Sequence, residues 1–164
     1  MLITVVPLDL PQLRSLEVDP SRLGGIPVAM GALPPLFILE AAIGALQQGR
    51  SPIWFSPFVF VEKRLDQIVG TGGFKGSPVD RRVEIGYGVA EQHRGRGFAT
   101  AAVRALLQVA FSDPGVAEVY AETAAFNMPS RRVVEKVGFR HLGQRVTEGD
   151  GVVDRWLTSA PGTR

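Results

Sequence analysis

Residues 83–107 read VEIGYGVAEQHRGRGFATAAVRALL: an alternating apolar run, then a basic turn carrying two glycines, then a long apolar helix stripe. A strand that passes within eight residues into a helix belongs to a sheet with that helix packed back on it. Apolar residues at 99, 102, 103, 106, 107 and 110 define the helix face, and Asp113-Pro114-Gly115 ends it. Backbone N–H groups at a helix start are unpaired and carry partial positive charge. Gly95 and Gly97 would therefore let phosphate oxygens approach bare backbone at that point. A diphosphate suits such a turn, although two glycines also serve simply to permit a sharp strand-to-helix reversal.

Charge placement bears on that choice. Arg94 and Arg96 stand before this helix and Arg131 and Arg132 in the first turn of a later one, where the helix dipole disfavours cations. A bound polyanion would relieve the repulsion, whereas solvated arginines would tolerate it at roughly 0.3–1 kcal/mol each.

The remaining periodicities predict strands over 2–6, 68–74, 83–89, 118–124, 139–146 and 152–158. An apolar aromatic run over 54–61, broken by Pro57, reads as a seventh strand. Helices are predicted over 9–16, 36–48, 99–110 and 129–137, the last with Pro129 at its start and Gly138 at its end. Residues 20–35, rich in Gly and Pro, read as a loop. The 164 residues suit one domain over 1–164: an α/β (α+β) fold with a mixed, mostly antiparallel sheet of six to seven strands and about four helices. Eighteen Lys+Arg against sixteen Asp+Glu give a net charge of +2, too small to imply a nucleic-acid partner. The absence of cysteine excludes disulfides, thiolate metal sites and cysteine nucleophiles, and no metal site is expected. No run reaches the ~18 apolar residues of a membrane helix, so no membrane association and a cytoplasmic location are expected.

The run from Val83 through Phe139 resembles the Gcn5-related N-acetyltransferase superfamily. The residues that carry the likeness are Ile85-Gly86-Tyr87, Gln92-His93-Arg94-Gly95-Arg96-Gly97, Asn127-Met128-Pro129-Ser130 and Glu135-Lys136-Val137-Gly138-Phe139, in the family's order and spacing. The similarity covers roughly residues 55–158 and is greatest to the branch that acetylates the N-termini of ribosomal proteins. It implies acetyl-CoA as cofactor and transfer of acetyl to a primary amine by direct attack on the thioester. The acceptor would be a protein N-terminus or a small molecule. A non-catalytic acyl-CoA-binding or regulatory module is the alternative. The resemblance also implies that backbone near Val89 pairs with the pantetheine arm and that the turn beginning at Gln92 holds the pyrophosphate through amides of Arg94, Gly95, Arg96, Gly97, Phe98 and Ala99. Asn127 would contact the cofactor beyond the next strand, and a homodimer would be possible.

Aminolysis of a thioester needs a neutral amine, stabilisation of the developing oxyanion and a proton for the thiolate. Glu84 shares a strand face with Gly86 and Gly88, which suit a bulge or close backbone approach. Its carboxylate is either a base acting through water or half of a strand-face ion pair. Ser130 lies on the stripe with Val133, Val134 and Val137, and its hydroxyl either stands beside the sulfur or hydrogen-bonds the helix start. The family's tyrosine acid four residues after that serine is absent, since Val134 holds the position. His93, within the turn, reads as solvated or phosphate-facing rather than as a base. His141 reads as structural, and Asn127 serves equally as a cap. Trp54, Phe55 and Phe58, with residues 36–48, would line the acceptor wall or belong to the core.

Overall fold

A computed structural model describes residues 2–162. In chain order the elements are β1 (Ile3–Pro7), α1 (Leu10–Val18), β2 (Arg22–Leu23), β3 (Ile26–Pro27), α2 (Leu36–Gln47), α3 (Pro52–Phe55) and β4 (Phe58–Glu62). There follow β5 (Gln67–Phe74), β6 (Arg82–Val89), α4 (Phe98–Phe111), β7 (Glu118–Ala124), α5 (Met128–Val137), β8 (Arg140–Thr147) and β9 (Gly151–Ser159). Seven strands form one sheet in the order β1-β4-β5-β6-β7-β9-β8, antiparallel except where β6 meets β7. The mixed, mostly antiparallel sheet expected from sequence is therefore present. Among the described residues no helix is long and apolar enough to cross a membrane.

The two faces of the sheet carry different helices. Phe60, Val69, Ile85 and Val89 pack against Phe98, Val103 and Leu106 of α4 and Val134 of α5, while Val59 and Ile68 pack against Leu13 and Leu16 of α1 and Leu39 of α2. Alternation along each strand sends neighbours to opposite layers, so the strands that read as continuous apolar runs are those covered on both sides. The N-terminus of α1 has a capping box: Asp9 accepts from the N–H of Gln12, and the Gln12 side chain accepts from the N–H of Asp9.

Three expectations need correction. Trp54 and Phe55 belong to the short helix α3 rather than to a strand, because Pro52 sets a helical first turn and Pro57 cannot extend it; the strand begins only at Phe58. The loop predicted over 20–35 contains the small β2–β3 ribbon, turned through Gly24 and Gly25 at φ 53° and 85°. Gly86 and Gly88 make no bulge, since β5 and β6 pair without a break from Gly70↔Val89 to Phe74↔Ile85. The close approach is instead made from the opposite strand: a Cβ on Gly70 would collide with the Gly88 carbonyl oxygen, and one on Gly72 would lie 2.7 Å from that of Gly86.

Candidate active site

Strand β6 pairs with β7 only from Arg82↔Glu118 to Ile85↔Ala121. Beyond that point β7 stays with β9 while β6 continues to Val89, and the two strands part. Lys75 N–H donates to the Glu84 carbonyl and Ala90 N–H to that of Val69. The alternation of an antiparallel ladder then directs the peptide groups of Gly86 and Gly88 toward β5 and those of Tyr87 and Val89 into the opening. Arg94 Nε donates to the Val89 carbonyl at 3.2 Å, which leaves the Val89 N–H facing the gap.

Cavities lie on both faces of this parted region. On the α4–α5 side a cleft of about 440 Å³ is lined by the turn before α4 and by the first turns of α5. On the α2 side a cavity of about 650 Å³ opens between α2, α3 and the ends of β5 and β6. Tyr87, Gly88, Val89 and Arg94 border both. A reactive group reached from one face can thus be met by a partner entering from the other.

The turn is shaped for an anion. Gly95 and Gly97 have φ of 72° and 80°, a region that favours glycine, and Gly97 is the N-cap of α4. No side chain caps that helix and no acidic residue lies in its first turn, so its backbone donors face the cleft beside Ala99 and Thr100. Arg94, Arg132 and Lys136 also line the cleft, and among the described residues no carboxylate does. The helix dipole and the Arg132 and Lys136 cations together favour a polyanion there.

The sequence-predicted residues are distributed as follows. Val89, Arg94, Gly95, Gly97, Ala99, Asn127 and Ser130 line the cleft. Phe98 is buried beneath it in the core, and Arg96 lies over the Phe98 ring at 4.9 Å. Gln92 is exposed, outside both cavities. Asn127 caps α5, its side-chain oxygen accepting from the Ser130 N–H at 3.2 Å. Glu84 lies outside both cavities, paired with Lys75 at 2.9 Å. Trp54 and Phe55 line the α2-side cavity, whereas Phe58 turns to the opposite face and is buried in the core.

His93 lines the cleft, as one of its two readings expects, but is buried rather than solvated. Arg96, always a donor, bonds its Nδ1 at 3.1 Å, so Nε2 carries the proton and donates to Gln67 Oε1 at 3.0 Å. Arg131 departs from the polyanion reading as well. It folds beneath α5 toward Asp154, which is 1% exposed, at 3.5 Å, while Asp154 also accepts from His141 at 2.8 Å and Gln144 at 3.1 Å. An internal carboxylate relieves that helix start, and Arg132 alone of the pair reaches the cleft. Burial raises the Asp154 carboxyl, but the bonds from His141 and Gln144 and the charge of Arg131 outweigh it and hold it below the usual carboxylate range.

Two residues in the site have no assignment from sequence. The Tyr87 hydroxyl lies 3.0 Å from Ser130 Oγ and 3.1 Å from the Ser130 carbonyl, and burial pushes its phenol up from the ordinary value, with the Ser130 bond pulling partly back. Lys136 completes a helical stripe with Pro129, Arg132 and Val133 along the cleft wall. The 129/132/133/136 spacing is the signal that could have found it.

Residues 34–140, more than half of the chain, match the acetyltransferase (GNAT) domain family. The chain belongs to that family. An uncharacterized N-acetyltransferase, p20 of Bacillus licheniformis, is 32% identical over 89 residues, covering 52% of this chain and 49% of that protein. The chain spans about half the length of the curated relatives it matches. Among solved structures, the aminoglycoside acetyltransferase AAC(6')-Ib in complex with coenzyme A superposes with a TM-score of 0.67 at 21% identity, covering 96% of this chain and 95% of that one. The ribosomal L7/L12 α-N-protein acetyltransferase RimL, also in complex with coenzyme A, gives 0.69 at 13% identity, with 98% and 96% covered. At these identities the likeness is one of fold.

Proposed function

We propose that residues 1–164 form one acyl-CoA N-acyltransferase domain that carries acetyl from acetyl-CoA to a primary amine, a protein N-terminus or a small molecule, in the cytoplasm. The observation that carries the reading is the meeting of two cavities at the unpaired end of β6. The cleft on the α4–α5 side has the uncapped helix start, the backbone of the turn from Arg94 to Ala99 and the Arg132 and Lys136 charges that suit a diphosphate-bearing cofactor. The free backbone edge at Tyr87 and Val89 suits the amide-containing arm of such a molecule.

Bound acetyl-CoA supplies an acyl thioester. The chain's own groups do the rest. The Val89 N–H, aimed into the opening, donates to negative charge developing on oxygen. The Ser130 hydroxyl gives a proton to the departing sulfur, with Tyr87 at 3.0 Å to resupply it. A thiol of ordinary pKa about 8.5 makes modest demands on that acid. Val134, fully buried, cannot perform this role, and Tyr87 of β6 brings a hydroxyl to Ser130 on the same helix as Val134. Glu84, paired with Lys75 outside both cavities, would serve as base only through intervening waters along the strand face it shares with Gly86 and Gly88. Release of free thiol from acetyl-CoA, dependent on added amine and matched by acetylated product in the mass spectrum, tests the proposal. Tight coenzyme A binding with no amine-dependent release would favour a non-catalytic module instead.

A further inference from the structure

We infer that the acceptor is a monoamine with an apolar body and one anionic group, and not a polyamine or a polycationic sugar. This rests on the transferase reading above. The α2-side cavity of about 650 Å³ is within the range of small-molecule sites. Its walls are apolar: Pro34, Ile38 and Ala41 face Trp54, Phe55 and Phe74. A Cβ on Gly88 would meet open space, so the floor beside the opening is unobstructed.

Charge decides the class. Two charged side chains line this cavity, Lys75 and Arg94, and both are cations; among the described residues no carboxylate does. Glu84 neutralises Lys75 at 2.9 Å. Arg94 enters none of the ion pairs among the described residues, and its one recorded bond, from Nε to the Val89 carbonyl, leaves the two terminal nitrogens uncommitted. A second ammonium entering this chamber would lose water with no carboxylate to receive it, beside an existing guanidinium. A carboxylate would find in Arg94 a planar, charge-assisted donor. Because Arg94 is bonded to Val89 at the edge of the opening, an anionic group close to the amine also places that amine at the reacting point.

The test compares kcat/KM of the full chain with saturating acetyl-CoA for phenylalanine, 2-phenylethylamine and spermidine, alongside melting with coenzyme A. Phenylalanine should exceed 2-phenylethylamine by about tenfold, the worth of one hydrogen bond to a charged group, with spermidine at the no-amine background. Arg94→Gln should collapse the ratio of the first two toward one, a change that general damage to the site would not produce. Ile38→Glu, at the cavity wall, should raise the spermidine rate and lower that of phenylalanine. Preference for spermidine overturns the inference, as do equal rates for phenylalanine and 2-phenylethylamine; failure of all three amines in protein that coenzyme A stabilises favours the non-catalytic module and overturns the transferase reading together with the inference. If coenzyme A leaves melting unchanged, the transferase reading itself is refuted and the inference with it.

Discussion

Replacing Asp154 by Ala would remove the β9 carboxylate that accepts from His141 and Gln144 of β8 and pairs with Arg131 at the start of α5. The carboxylate is 1% exposed, accepts from His141 and Gln144 and faces Arg131 at 3.5 Å in an ion pair without a hydrogen bond, while the Arg131 side chain is 29% exposed and that of His141 42%. Breaking a fully buried ion pair costs about 3–5 kcal/mol. Here the partners can recover some hydration, so a loss of roughly 2–4 kcal/mol is expected, or near 3 in the middle of that range. At this chain length each kcal/mol moves the melting temperature by about 2–4 °C, so calorimetry should record a fall of roughly 6–12 °C. The double replacement Arg131→Leu with Asp154→Leu should recover much of it, since no lone buried charge remains. The pH dependence has a definite sign. A folded-state pKa below the unfolded value of about 3.9 gives stability that is present above that pH and lost as pH falls through the folded pKa. Asp154→Asn should lack this portion of the acid-side loss. A fall of less than about 2 °C in Asp154→Ala, within the range of ordinary surface substitutions, would refute the account of this cluster.

Three further outcomes follow from the site. Gly97→Val places a β-branched residue at φ 80°, a conformation that costs such residues roughly 1–3 kcal/mol; coenzyme A affinity by calorimetric titration should fall about tenfold or more in protein that still melts cooperatively. Tyr87→Phe removes the hydroxyl beside Ser130 and should lower kcat by roughly 10–100-fold with little change in coenzyme A affinity; an unchanged kcat across pH 6–9 would exclude the pair from proton transfer. Glu84→Gln should lower the rate while leaving cofactor affinity in place, and a rate equal to the parent's over the same pH range would dismiss the base assignment.

The strand, turn and α4 were legible because each rests on local pattern: alternation over 83–89, glycines where φ is positive, and an apolar stripe ended by Asp113-Pro114-Gly115. What escaped depends on contacts between distant residues. Tyr87 meets Ser130 across 43 positions, and nothing local to either residue announces it. Arg131 was legible as a cation in a helix start, but its relief by Asp154 on β9 depends on the sheet order. His93 reads as solvated or phosphate-facing; it does line the cleft, but it is buried, with Gln67 and Arg96 bonded to its ring nitrogens. Trp54 and Phe55 have the composition of a strand, and Pro52 decided for a helix. Glu84 reads as either a base at the opening or half of a strand-face ion pair; it lies outside both cavities, and its partner Lys75 follows the end of β5.

The central claim is that the α4–α5 cleft takes an acyl-CoA, and thermal melting of the purified chain with acetyl-CoA, coenzyme A, ATP and NAD at equal concentration tests it most directly. A ligand that binds only the native state raises apparent stability by about 2.7 kcal/mol at a hundredfold excess over its Kd. The account predicts upward shifts with acetyl-CoA and coenzyme A and little or none with ATP and NAD. No shift with either CoA species, or one equalled by ATP, would contradict it.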